Sequence, residues 1–246
     1  MQDHELLQRL LMDSFGDGAH AIIAGASGLI GSQLLEQLLT LPSIPTVTAL
    51  VRKPLSVQHD KLTQVQHPNL AMTQWNEQSP SPDFGFICLG TTMKQAGSKH
   101  ALAQIDVELV TQVAQTMKLL GVKRIAVVSS YGANAQSLSN YLKCKGRMEQ
   151  NLLKLDFERL VFVRPGPLKG ARDNPRADEQ VLQKVLWALR PFLLGPLVNF
   201  KPIRASTVAK AMIFSLVKPT HHPSDNYCTL NSKEIHTMLM EYQVPS

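Results

Sequence analysis

The stretch HAIIAGASGLIG at residues 20–31 joins a short apolar run to a glycine-rich turn and a leucine-rich segment. The apolar run His20–Ala24 is typical of a buried strand. The spacing of apolar residues from Leu29 to Leu41 predicts a helix that ends before Pro42. Because glycine tolerates the backbone angles of a tight bend, the stretch predicts a strand–turn–helix unit near the start of the chain.

Apolar runs and helical patterns continue to alternate from this unit to about residue 166. Further strands are predicted at Val47–Val51, Leu70–Trp75, Phe84–Leu89, Ile125–Val128 and Leu160–Val163, and helices at 102–120 and 141–153. Such alternation predicts an α/β fold with a parallel sheet covered by helices on both faces. Right-handed crossovers would make it a doubly wound Rossmann sheet of strand order 3-2-1-4-5-6, with room for a seventh strand.

The length of 246 residues and the hydrophobic content of 44% predict a single folded domain with a core of ordinary size. We expect its core at about residues 18–166, and a C-terminal capping region at about 167–246 that shapes a substrate pocket. Helical patterns at 178–194 and 207–217 lie in that region, and the apolar stretch Val185–Val198 could face the sheet, a lipid-like substrate or another subunit. A monomer or a homodimer is compatible with the sequence.

The net charge of +6 favours an anionic partner, although a solvated basic surface would explain it equally well. No dense run of Lys and Arg indicates a nucleic-acid interface, and no nucleic-acid partner is expected.

Cys88, Cys144 and Cys228 are widely spaced. We therefore expect them to be packing residues, and we expect no metal site and a location in the reducing cytoplasm. We expect neither a secretory signal peptide nor stable membrane insertion.

The glycines of the turn point to a phosphate-bearing ligand. A backbone without Cβ atoms lets phosphates approach closely, and a helix N-terminus offers free N–H groups and a partial positive charge. A motif of this kind between a strand and a helix is typical of dinucleotide binding. The second strand ends at Arg52-Lys53 instead of the acid that binds the ribose of NAD, so the sequence predicts NADP, with NAD the less favoured cofactor.

Ser130, Tyr141 and Lys145 form a candidate catalytic set. Tyr141 and Lys145 are four residues apart and would lie on one face of a helix. A neighbouring ammonium favours the phenolate of Tyr141, which suits a proton transfer to or from a carbonyl or alcohol. Ser130 ends a predicted strand at the sheet edge where ligands bind, whereas the adjacent Ser129 would point away if the pleat continues.

Together these motifs resemble the extended or atypical short-chain dehydrogenase/reductase superfamily. Three further stretches, CLGTT at 88–92, VSSYGA at 128–133 and VRPG at 163–166, are similar to the Tat-interacting-protein group, the oxidoreductase-like tumour suppressors. The resemblance covers roughly residues 20 to 220 and implies that Ser130, Tyr141 and Lys145 are catalytic, with Tyr141 as acid/base and Lys145 also bound to the nicotinamide ribose.

The same resemblance implies a set of residues along the bound dinucleotide. The pyrophosphate would contact the glycine turn, the adenine-side ribose the two cations, the middle of the cofactor the CLGTT stretch, and the nicotinamide end the VRPG stretch. In that order the residues are Gly25, Ser27, Gly28, Leu29, Ile30 and Gly31; Arg52 and Lys53; Leu89, Gly90 and Thr91; and Arg164, Pro165 and Gly166.

Two functions follow from these patterns. The first is an NADP(H)-dependent oxidoreductase that transfers hydride between the nicotinamide and a small-molecule carbonyl or alcohol. The second is an NADP(H)-binding regulatory or redox-sensing protein with little or no turnover. Turnover that depends on Tyr141 separates them.

Overall fold

A computed structural model describes residues 2–15, 18–72, 80–169, 199–217 and 226–241. The strands are β1 (His20–Ala24), β2 (Thr46–Val51), β3 (Leu62–Gln66), β4 (Phe84–Ile87), β5 (Arg124–Val128), β6 (Arg159–Arg164), β7 (Leu168–Lys169), β8 (Ile203–Arg204) and β9 (Tyr227–Asn231). The helices are α1 (Gln2–Phe15), α2 (Leu29–Thr40), α3 (Met93–Ala96), α4 (Lys99–Ala103), α5 (Val110–Leu119), α6 (Asn140–Leu153), α7 (Ala205–Val217) and α8 (Ser232–Glu241), with a π-helical segment, Gln104–Leu109, between α4 and α5.

Seven of these strands form one parallel sheet in the order β3-β2-β1-β4-β5-β6-β9. Ala24 pairs with Leu50 on one side and with Ile87 on the other, so β1, β2 and β4 end at nearly the same level. The doubly wound Rossmann sheet predicted from the sequence is therefore confirmed, with β9 as the seventh strand. β7 and β8 pair separately as a small parallel sheet.

The two faces of the sheet carry separate apolar cores. Ile23 and Ala126 pack with α2 and α7 in one cluster, whereas Ile22 and Val127 pack with α5 and α6 in the other. Neighbouring residues of each strand contribute to opposite cores because successive side chains of a strand point to opposite faces. This two-sided burial explains the continuous apolar runs in the sequence.

The third strand differs from the sequence-based prediction. β3 is Leu62–Gln66, whereas Leu70, the start of the predicted strand, has a φ of 54° and lies in a loop. Leu70 is buried in the core that holds α5 and α6, and Met72 packs against the same core. β3 lies at the sheet edge, and Leu62 and Val65 are its only apolar residues, so its apolar signal is weak. The rest of the predicted strand, 73–75, lies outside the described residues.

The described C-terminal residues complete the sheet and its helical layer. α7 packs against α2, β5 and β6, and α8 follows β9. The predicted helix 178–194 and the apolar stretch Val185–Val198 lie outside the described residues, as does the rest of 170–198. In the part of the chain that the structure describes, no helix has the length and apolar character needed to span a membrane.

Candidate functional site

The carboxyl ends of β1, β4 and β5 form the edge at which the sequence-predicted site residues meet. Gly25, directly after β1, has a φ of 90°, which favours glycine. A Cβ on Gly25 would lie 2.7 Å from the carbonyl carbon and oxygen of Cys88. The turn after β1 is therefore packed against the end of β4, and no side chain fits between them.

Gly31 brings the first helix close to the same turn. A Cβ on Gly31 would lie 2.0 Å from the carbonyl oxygen of Gly25, which is far below any possible contact distance. Gly28 caps α2 with an extended backbone, and its N–H donates to the Gly25 carbonyl (3.0 Å). These glycines therefore fix a narrow bend from strand to helix.

The N-terminus of α2 is open to an anion. Its cap makes no side-chain hydrogen bond, and its first turn carries no acidic residue. The N–H groups of Leu29, Ile30 and Gly31 belong to the first turn, where the helix itself supplies no acceptors. Ser27 is exposed beside them. The cradle fits the phosphates of a dinucleotide because both the space and the unpaired donors are present.

Arg52 and Lys53 follow β2 at the same sheet edge, and both side chains are exposed. The Gln66 side chain donates to the Arg52 carbonyl (3.3 Å), which ties this loop to the end of β3. Two exposed cations therefore follow the strand that pairs with β1, the strand before the glycine turn.

Lys145 is buried. Only 2% of its side chain is exposed, and its Nζ lies 2.7 Å from Asp106 Oδ1. Nζ also donates to the carbonyl oxygens of Leu89 and Val128, each at 3.4 Å. Lys145 thus bridges the segment that follows β4 and the last residue of β5.

Asp106, in the π-helical segment, is a site residue that the sequence reasoning missed. Its side chain is fully buried, and Oδ2 accepts a hydrogen bond from the Thr91 N–H (3.0 Å). A signal for its burial does exist in the sequence. Leu102, Val110 and Val113 lie four residues before and four and seven after it, which is the spacing of one helix face, and all three are buried.

The two serines after β5 occupy different environments. Ser129 is buried, and its Oγ has no hydrogen-bond partner among the described residues, whereas Ser130 is half-buried. Ile125 and Val127 face the core that holds α6, so the alternation along β5 directs Ser129 toward the same face. The sequence reasoning favoured Ser130, and the structure leaves both hydroxyls near the sheet edge.

A loop between β5 and α6 crosses over α6, the helix that carries Tyr141 and Lys145. A Cβ on Gly146 would lie 2.2 Å from the Ala135 backbone nitrogen, so the loop rests directly on α6. The Asn134 N–H donates to the Leu142 carbonyl (3.2 Å). Tyr141 is half-buried in the first turn of α6, one turn before Lys145.

The stretch after β6 is held by contacts within the protein. The Arg164 guanidinium donates to both oxygens of Glu149, with 2.9 Å between Nε and Oε1. This hydrogen bonding raises the pKa of Arg164 further above its ordinary value. The Gly166 N–H donates to Ser232 Oγ (2.9 Å), and a Cβ on Gly166 would lie 2.0 Å from the Asn199 carbonyl oxygen. Pro165, between them, is buried.

Cys88 lies between the glycine turn and Lys145. Burial raises the pKa of its thiol to about 12, and the nearby Lys145 charge lowers it by a smaller amount.

All three cysteines are free, and among the described residues no group of three or more His, Cys, Asp or Glu is placed to hold a metal ion.

Comparisons with solved structures agree with this architecture. MoeE5 in complex with UDP-glucuronic acid and NAD superimposes with a TM-score of 0.62 and 17% identity over 91% of this chain and 82% of that one. The epimerase Mth375 from Methanothermobacter thermautotrophicus gives a TM-score of 0.61 and 14% identity over 100% and 82% of the two chains. At these identities the likeness shows a shared Rossmann fold, which agrees with the strand order of this chain.

Curated relatives identify the family. The Candida albicans protein FMP52, mitochondrial, is 34% identical over 199 residues, which is 78% of this chain and 85% of the relative. The Rattus norvegicus protein HTATIP2 is 31% identical over 222 residues, 89% and 90% of the two chains. A model of the HIM1 family matches residues 85–193. The chain belongs to the family that contains HTATIP2 and FMP52.

The names of the fungal relatives correct one expectation. FMP52 proteins of Candida albicans, Saccharomyces cerevisiae and Coccidioides immitis are all named mitochondrial. The prediction of a cytoplasmic location, which rested on the spacing of three unpaired cysteines, is therefore wrong. Free cysteines indicate a reducing compartment without distinguishing one such compartment from another.

Proposed function

We propose that this protein is an NADP(H)-dependent oxidoreductase that interconverts a small carbonyl compound and its alcohol. The observation that carries the proposal is the turn at Gly25–Gly31, where strand and helix approach too closely for side chains and the helix start is uncapped. Several structural neighbours with this fold, MoeE5 among them, were crystallised with NAD.

The dinucleotide would lie across the carboxyl edge of the sheet. Its pyrophosphate would be bound by the turn that contains Gly25, Ser27 and Gly28 and by the first-turn N–H groups of α2. Leu89, Gly90 and Thr91 would flank its middle. The nicotinamide end would approach Pro165 and Gly166, with Arg164 holding that segment in place through Glu149.

Bound NADPH would supply a hydride to the carbonyl carbon. Tyr141 would donate its phenolic proton to the carbonyl oxygen, and in the reverse direction its phenolate would accept the alcohol proton. Lys145 would stabilise that phenolate electrostatically from one helical turn away. A hydroxyl after β5, that of Ser130 or Ser129, would hold the substrate oxygen. Residues after Gly166 would form part of the substrate pocket of this single domain.

Arg52 and Lys53 support NADP over NAD. A forked guanidinium and an ammonium at the end of β2 match a 2′-phosphate on the adjacent ribose, and both side chains are exposed and free to move toward it. The Arg52→Ala/Lys53→Ala variant should lose at least about tenfold in NADPH affinity and little in NADH affinity. Lys123→Ala/Lys154→Ala removes the same charge at the opposite end of the sheet and serves as the control.

The decisive experiment measures NADPH oxidation over a panel of aldehydes and ketones. Tyr141→Phe removes only the hydroxyl and should lower turnover by about 100-fold or more, with NADPH affinity unchanged. Tyr227→Phe, on the exposed edge strand β9, is the matched control. If the parent protein binds neither NADPH nor NADH, the proposal is wrong. Binding without Tyr141-dependent turnover would instead establish the regulatory or redox-sensing alternative.

A further inference from the structure

The ion pair between Asp106 and Lys145 is unusual because both charges are removed from water. The exposed fractions of the two side chains are 0% and 2%. Taking two charges out of water carries a large desolvation penalty, and a well-packed apolar pair would often stabilise a fold equally well. Because buried charges cluster at functional sites, we look for a functional role of this pair beside the edge where ligands bind.

The Lys145 ammonium makes three contacts within the protein. An ammonium has three donors, and Nζ contacts Asp106 Oδ1, the Leu89 carbonyl and the Val128 carbonyl. The two carbonyl contacts, at 3.4 Å, are long, whereas the carboxylate contact, at 2.7 Å, is short. The carboxylate is consequently the partner that fixes the position of the charge.

Asp106 also holds the backbone that covers this charge. Its Oδ2 accepts the Thr91 N–H, while Oδ1 faces Lys145. A Cβ at Gly90 would lie 3.1 Å from Nζ and 3.3 Å from Oδ1. A side chain at position 90 would therefore press on the pair. Asp106 contacts both the Lys145 ammonium and the backbone of the Leu89–Thr91 segment, so one carboxylate positions both.

Oδ1 of Asp106 is buried and lies 2.7 Å from Nζ, which is the distance of a charge-assisted contact. The two groups carry opposite full charges, and the contact depends on both. A neutral amide at this position would keep the size of the side chain and lose most of the interaction.

We propose that Asp106 is a positioning residue, which acts through Lys145 to hold the ammonium in register with the Leu89–Thr91 segment where the dinucleotide binds. The inference rests on the proposed function, because it concerns the same site. Asp106 touches neither cofactor nor substrate in this assignment. It sets dinucleotide affinity and turnover by fixing the charge that supports both.

The test is a double-mutant cycle on the full chain with Asp106→Asn, Lys145→Met and the two combined. Binding of NADPH is titrated by fluorescence, and kcat is expressed per dinucleotide-binding site. In the parent background Asp106→Asn should weaken NADPH binding by about tenfold or more and lower kcat, and in the Lys145→Met background it should change either quantity less than about twofold. Asp83→Asn, which alters an acid that accepts the His20 N–H at the other end of the sheet, is the control.

A purely structural role would give a different result. It would lower the melting temperature and the number of binding sites, and leave the NADPH affinity and kcat of each remaining site unchanged. That result, or equal effects of Asp106→Asn in both backgrounds, would overturn the inference. If Asp106→Asn does not fold, Asp106→Glu keeps the charge but displaces the carboxylate from Nζ by one methylene and should weaken NADPH binding; unchanged binding would count against the inference.

The two proposals fail in distinguishable ways. A parent protein that binds no nicotinamide dinucleotide overturns the proposed function and this inference together. A parent that binds NADPH and turns over, with Asp106→Asn indistinguishable from it, overturns this inference alone.

Discussion

Gly31 shows how a single residue fixes the distance between an element and its neighbour. The absence of its Cβ allows α2 to start against the carbonyl of Gly25. Only a side-chain-free backbone satisfies this contact, which explains why the turn can be recognised from glycine spacing alone.

Gly31→Ala should therefore disrupt the turn. The added Cβ would lie 2.0 Å from the Gly25 oxygen, so the helix must shift. We expect a loss of about 1–3 kcal/mol in the free energy of unfolding and loss of dinucleotide binding, measured by urea unfolding and by titration. Gly18→Ala adds a Cβ with nothing within 4 Å and should change stability by less than about 0.5 kcal/mol. Equal behaviour of the two variants would contradict this account.

Cys88 should be chemically inert in the native protein. The thiolate is the reactive form, and burial raises the pKa of this thiol to about 12. At pH 8, iodoacetamide should therefore leave Cys88 unmodified in the folded protein and alkylate it in urea, as read by peptide mass spectrometry. Because the unfolded thiol ionises near pH 9 and the folded one does not, this group also lowers stability as pH rises above about 9. Rapid alkylation of the folded protein at pH 8 would refute the assignment.

The sequence indicates some residues of the candidate site and not others, for physical reasons. Gly25, Gly28 and Gly31 were found because their spacing is imposed by a tight bend. Lys145 was found from its distance to Tyr141, but its burial was not expected. Asp106 was missed because an acid in a helix is usually exposed, and only its alignment with Leu102 and Val110 indicated otherwise.

Among the elements, α6 is joined to the edge of the sheet by an ion pair of its own. Glu149 of α6 binds the guanidinium of Arg164 at the end of β6. The side chain of Glu149 is 6% exposed and that of Arg164 29%. The pair therefore fixes α6 against the strand that leads into the Pro165–Gly166 segment.

Glu149→Ala should leave the guanidinium without its buried counterion. We expect the free energy of unfolding to fall by about 3 kcal/mol, measured by denaturant unfolding. The Glu149→Leu/Arg164→Met variant, in which neither charge remains, should recover most of that loss. Additive losses in the double variant would show that the two residues act independently.

The positions of strands were predicted correctly where both faces of the strand are buried, and wrongly for β3, where they are not. β1, β4, β5 and β6 are buried on both faces, and their apolar runs give their positions to within one or two residues. β3 is an edge strand with half-buried residues, so the more apolar loop around Leu70 was the stronger signal. Strand pairing, a tertiary effect, decides between the two.

At the scale of the whole molecule, the net charge of +6 is consistent with an anionic ligand at one edge of the sheet. NADPH at about 100 times its dissociation constant should stabilise the folded protein by about 2.7 kcal/mol. For a chain of this size that corresponds to a rise of roughly 5–10 °C in melting temperature. Differential scanning fluorimetry measures it, and adenosine, which lacks phosphates, is the control ligand. A shift as large with adenosine would contradict phosphate recognition by the glycine turn.

The pairing of β7 with β8 has a consequence for how this protein can diverge from its relatives. Leu168 pairs with Ile203, and Gly166 touches Asn199, so the chain departs from the end of β6 and returns to almost the same point. Residues 168–169 and 203–204 are thus held to each other in a sheet separate from the seven main strands. Sequence changes within 170–198 should accordingly leave the registry of the seven main strands intact.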